Sequence, residues 1–270
     1  MVRVVVFALF ALAALPCAAQ YPDRNLTFLA NFPPGGLVDI VTRVVADGMK
    51  PKFPHGITVV NKPGAGGAVG VSDLVQAKPD GYTILLTPQS SLVIAPQMNP
   101  KLAYKTPDEY DPVINLVAYY PLLAVTADAP WKSIQDFVAD AKANPGKMRV
   151  GTPGEVKPLV DGKRIRVLAV FQEKRHPAFP DTPTSKESGW DVANGVWYLI
   201  IAPKGTPAPI VKQIHDAAKA VVDDPAFAKT MDARGADVDY RAGDKLRADL
   251  WKEYKLDTEI LKRIGLVKVR

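Results

Sequence analysis

Three turns rich in glycine or proline, each set directly behind a short apolar run, constrain this chain more than any other feature of its sequence. Leu26–Ala30 reads as a strand, and Phe32-Pro33-Pro34-Gly35-Gly36 follows it. A helix is expected over Leu37–Met49, where Val38, Val41, Val44 and Val45 recur at helical spacing. Ile57–Val60 is a second strand with β-branched enrichment. The cluster Gly64–Gly70 then leads into a helix through Leu74 and Val75. Tyr82–Leu86 is a third strand, closed by Thr87-Pro88-Gln89-Ser90-Ser91. This βαβαβ order predicts an α/β fold with a largely parallel sheet. Parallel strands bring their carboxyl ends together, so the three turns are expected to converge.

The second half continues the alternation. Leu122–Thr126, Met148–Gly151, Ile165–Val170 and Tyr198–Ala202 read as strands. Ser133 and Asp136 form a capping box for a helix to Ala143. Helices are expected over Ala208–Val222, Pro225–Ala233 and Lys245–Ile264, the last with Asp244 as its N-cap.

Each turn has a functional and a plainer reading. Pro34, Gly35 and Gly36 sit where a helix N-terminus presents free N–H groups, which suits an anion, but any α/β protein has such turns. Asn61-Lys62-Pro63-Gly64-Ala65-Gly66-Gly67-Ala68-Val69-Gly70 resembles a dinucleotide fingerprint, yet Val69 stands where the third glycine belongs. No acidic residue follows for a ribose, and no Gly-Lys-Ser/Thr makes a P-loop. Ser90 and Ser91 suit either carboxylate contact or helix capping. His55, His176 and His215 lack metal spacing, and no G-x-S-x-G elbow anchors a hydrolase triad. No cofactor, metal or catalytic group is expected.

The N-terminus carries a separate signal. Arg3, the apolar run Val4–Leu15 and Pro16-Cys17-Ala18-Ala19 read as a signal peptide cut after Ala19, with lipidation of Cys17 as an alternative. Cys17 is the single cysteine, so cleavage there leaves no disulfide and no thiolate ligand. The formal charge of +6 is spread without long basic runs, which argues against nucleic-acid binding.

Read together, these loops resemble the solute receptors of tripartite tricarboxylate transporters, the Bug proteins. Pro34-Gly35-Gly36 with Asp39, Asn61–Gly67, Lys78-Pro79-Asp80-Gly81-Tyr82-Thr83, Asp111-Pro112-Val113, Arg166–Val170, Phe179–Thr184 and Ala202–Pro207 carry the likeness. The resemblance implies a type II periplasmic binding protein fold, in which two α/β lobes are joined by crossover strands. It places lobe 1 at 20–120 plus 206–270 and lobe 2 at 121–205. It implies a periplasmic receptor, not an enzyme, that captures a small carboxylate for membrane transporter subunits; a monomer is expected. The site residues it suggests are Pro34, Gly35, Gly36, Asp39, Ser90 and Ser91. Asp39 is expected to fix the loop, since a carboxylate would repel an anion directly.

One departure stands out. Thr152-Pro153-Gly154-Glu155 runs almost straight into Arg166, where the family usually has further helices, strands and loops. The second lobe is therefore expected to be truncated and its grip weakened. A non-functional receptor remnant is one alternative, and a nucleotide-using α/β enzyme is another.

Overall fold

The computed structural model describes residues 21–149, 151, 156–193 and 195–267. The expected signal peptide and its cut after Ala19 lie outside the described residues, as do Cys17, Val150 and Thr152–Glu155. The strands are β1 (Leu26–Ala30), β2 (Ile57–Asn61), β3 (Thr83–Pro88), β4 (Tyr110–Tyr119), β5 (Leu122–Thr126), β6 (Ile165–Val170), β7 (Val196–Pro203) and β8 (Ala236–Ala242). The helices are α1 (Leu37–Met49), α2 (Ala68–Val75), α3 (Gln89–Val93), α4 (Ala95–Met98), α5 (Ile134–Ala143), α6 (Lys157–Asp161), α7 (Ala208–Val222), α8 (Pro225–Asp232) and α9 (Gly243–Arg263).

Six strands form one sheet in the order β2-β1-β3-β7-β4-β8. The expectation of a largely parallel sheet holds only for β1, β2 and β3, which pair in parallel. The pairs β3–β7, β4–β7 and β4–β8 are antiparallel. The cause is topological. The chain leaves this sheet after β4, and β7 re-enters it from the far side of the excursion, running the opposite way.

Two buried clusters cover the two faces of the sheet. Phe28, Val41, Met49, Ile84, Leu116 and Ile200 belong to one, packed with α1 and α7. Leu29, Val71, Leu85, Tyr104, Trp197 and Leu250 belong to the other, packed with α2 and α9. Trp197 and Tyr198 are neighbours on β7, and period-2 alternation sends one ring to each face.

Two strands escape the sequence reading. β4 contains Pro112, which argues against a central strand, yet a register shift between Pro112 and Ile114 accommodates the missing N–H donor. β8 is an edge strand whose residues alternate apolar and polar, but Val238 and Tyr240 on it stay exposed. It runs to Ala242, so α9 begins at Gly243 and Ala242 takes the N-cap position. Asp244 is thereby drawn into the first turn rather than capping it. The Ser133/Asp136 capping box forms as expected, with each residue's side chain accepting from the other's backbone N–H at 3.0–3.1 Å. Met148, Arg149 and Gly151 are not in a strand.

The segment between β4 and β7 has a different character. β5 and β6 form an isolated antiparallel pair, to which Thr184 adds one parallel bridge at Val170. Among the described residues, none from 119 to 196 belongs to either buried cluster. Leu122, Leu123, Ile165 and Val167 are all left half-buried. Val125, Leu168, Ala169 and Val170 are buried, but a two-stranded sheet with so small a core is marginal by itself, and its edges stay open to pairing.

Candidate functional site

The three turns do converge, and two asparagines join them. Asn31 ends the first strand and is fully buried. Its amide group donates to the carbonyl of Gly67 at 3.0 Å and to Thr87 Oγ1 at 2.8 Å, linking all three loops. Asn61 ends the second strand and donates to the carbonyl of Phe32 at 3.0 Å and to Asp39 Oδ1 at 2.9 Å. Ser91 closes the cluster, donating its hydroxyl to the carbonyl of Gly66 at 2.7 Å. Gly67 has φ +89°, and a Cβ there would collide with the Asn31 amide, the Ser91 hydroxyl and the Phe32 ring. Only glycine permits both that backbone conformation and that approach.

Asp39 is built into the wall of this site. It is buried and accepts from the Gly35 N–H at 3.0 Å, from Arg43 Nε at 3.0 Å and from Asn61. Burial alone would raise its pKa. The donors Arg43, Gly35 and Asn61 outweigh that and hold the carboxyl below the ordinary aspartate value. Gly35, at φ +84°, turns its N–H back onto this carboxylate.

The N–H groups of Gly36, Leu37 and Val38 are left over. No acceptor among the described residues reaches them, as expected for the first turn of a 13-residue helix. Their residues line a cavity of about 310 Å³. Phe32, Pro33, Pro34 and Pro88 form part of its lining. Gly36, Leu37 and Val38 of α1 and Tyr198 of β7 complete it. No hydrogen bond from the Tyr198 hydroxyl is formed among the described residues. Burial, helped by the neighbouring Tyr119, pushes its pKa up to about 12, so it stays protonated at neutral pH.

Of the residues singled out in the sequence, Pro34 and Gly36 line the cavity. Gly35, Asp39 and Ser91 stand behind it as structural ties. The Ser90 hydroxyl is half-buried and lacks a partner among the described residues, and Ser90 does not line the cavity. Asn31 and Tyr198 were missed. Asn31 gave a faint signal, being a polar residue at the carboxyl end of an apolar strand. Tyr198 gave none, because its strand arrives from the other half of the chain. Among the described residues no group of three or more His, Cys, Asp or Glu is placed to hold a metal.

A model of the tripartite tricarboxylate transporter family receptor matches residues 41–160 and 155–266. The chain belongs to this receptor family. The UPF0065 protein in the gbd 5' region of Cupriavidus necator is 29% identical, with 97% of this chain and 95% of the relative covered. The solved periplasmic binding protein BugD is 26% identical at a TM-score of 0.77, covering 92% of this chain and all of that one. R. palustris Rpa4515, solved with adipate, shares the fold at a TM-score of 0.80 and 21% identity, with 93% of this chain and 100% of that one covered. The fold of this receptor is that of the periplasmic binding proteins of this type.

The alignment to the C. necator relative has 319 positions against 270 residues here, so at least 49 of its positions have no counterpart in this receptor. The two stretches of the family match break at residues 155–160, beside Thr152–Glu155.

Proposed function

We propose that this receptor captures a small carboxylated solute in the periplasm and delivers it to membrane subunits of a tripartite tricarboxylate-type transporter. The observation that carries this reading is the cavity at the carboxyl ends of β1 and β3, lined by the three residues at the N-terminus of α1 whose N–H groups are unpaired. A helix N-terminus favours negative charge, and a carboxylate is the small anion that matches this family. Solute capture without catalysis is consistent with a site whose one nearby carboxylate, Asp39, is fully engaged in holding the loop. Export through a signal peptide ending at Ala19 and a monomeric state complete the proposal.

The lobes are proposed as 20–120 plus 206–270, and 121–205, with β4 and β7 as the crossover strands. Closure of the second lobe over the cavity would exclude water and strengthen the contacts. The thinness of the segment from 121 to 195 favours a second reading, a receptor remnant that has lost its clamp.

Thermal melting of residues 20–270 with a panel of carboxylates tests both readings. Ligand at a hundred times its dissociation constant adds roughly 2.7 kcal/mol, a shift of about 5–10 °C for a chain of this size. A cooperative melt raised by one acid supports the receptor. A cooperative melt that no carboxylate moves, or no cooperative melt at all, supports the remnant.

A further inference from the structure

We infer that the solute is a monocarboxylate with an uncharged apolar body, not a di- or tricarboxylate. The inference rests on the receptor reading and names the class of solute for the same cavity.

The lining decides it by what it offers a bound molecule. Its side chains carry no charge: Phe32, Pro33, Leu37, Val38 and Pro88 are hydrocarbon, and Tyr198 adds one neutral hydroxyl. The unpaired backbone donors of the lining, the N–H groups of Gly36, Leu37 and Val38, sit together at one end of one helix. They can serve one carboxylate. A second or third carboxylate on the same solute would lie against proline and leucine side chains, where an unpaired charge is costly.

The arginine carried by α1 itself is already engaged. Arg43 on α1 is bound to Asp39 and to Asn61 Oδ1. The apolar lining, in contrast, is able to reward each methylene it covers. The Tyr198 hydroxyl gives room for one uncharged polar group on the solute, such as a carbonyl or hydroxyl.

Calorimetric titration of the full chain with butanoate, pentanoate and hexanoate tests this. Affinity should rise by about fourfold per methylene, the increment that burial of about 0.8 kcal/mol per CH₂ gives. Hexanoate should also bind more tightly than adipate, which has the same chain with a carboxylate at each end. Leu37→Gln should flatten the chain-length series, and Tyr198→Phe should leave it intact. Tighter binding of adipate, malate or citrate than of hexanoate would overturn the inference while leaving the receptor reading standing. Absence of heat for every acid, with a chain that melts cooperatively, would overturn both.

Discussion

The carboxylate of Asp39, in the first turn of α1, accepts the backbone N–H of Gly35, four positions earlier in the turn from β1, at 3.0 Å. This one contact explains how an acidic residue stands beside a site proposed for an anion. Its charge is directed into the loop and toward Arg43 and Asn61, while Gly36, Leu37 and Val38, with their unpaired N–H groups, line the cavity.

Asp39→Ala should therefore loosen the loop rather than relieve repulsion. Loss of hydrogen bonds to a charged group costs about 1.5–3 kcal/mol, read as a lower urea midpoint. The pKa of Asp39 is depressed in the folded protein, so its contribution is present above the unfolded aspartate pKa. It is lost as pH falls through the folded value. Wild type should approach the Asp39→Ala variant in stability toward strongly acid pH. A tighter-binding or more stable Asp39→Ala would refute this assignment.

Asn31→Ala should leave the Gly67 carbonyl and the Thr87 hydroxyl without their donor inside the protein. Stranded buried polar groups cost about 1–3 kcal/mol. Gly67→Ala should be at least as damaging, since it strains the backbone and drives into Asn31 and Ser91 together. Chemical denaturation of both variants checks this, and a neutral result for either would remove the three-loop junction from the account.

Asp257 lies on the buried stripe of α9 with Leu246, Leu250 and Leu261. Burial, with Glu253 adding to it, pushes its pKa up to about 6. The folded state thus prefers the protonated form. Its stabilising contribution is fully present below the unfolded aspartate pKa and disappears as pH rises through about 6. Asp257→Asn should flatten that part of the stability profile. Asp257→Leu should raise stability at pH 8, by up to about 1.5–3 kcal/mol for a buried leucine. Melting temperatures between pH 4 and pH 8 would show either effect.

The β5–β6 pair should open far more readily than the main sheet. Amide exchange at Leu123 and Val167 is expected to be orders of magnitude faster than at Leu85 and Ile200, because local opening there exposes little buried surface. Equal protection across both sheets would show that the second lobe is held together by more than this strand pair.

The first half of the fold was legible because its signals are local. Apolar runs such as Leu26–Ala30 and the valine spacing of α1 each encode one element, and the glycine turns mark their junctions. β4 stayed hidden because Pro112 is tolerated only through a bulge that its partner β7 makes possible. β8 was overlooked although Ala236, Val238, Tyr240 and Ala242 alternate with polar residues, because the pattern is short and runs directly into the next helix, and its omission misplaced the cap of α9.

The sequence by itself determined the turns, the strand–helix order of the first half, the family and the missing segment near residue 155. Each of these is written in contiguous residues. Only the tertiary structure decided that Asn31, Gly67, Thr87 and Ser91 meet. It alone brought Tyr198 over the N-terminus of α1. The physical reason is sheet pairing. Strands distant in sequence become neighbours through hydrogen bonds in register, and Pro88 stands opposite Tyr198 because β3 and β7 pair, although the two residues are 110 positions apart in the chain.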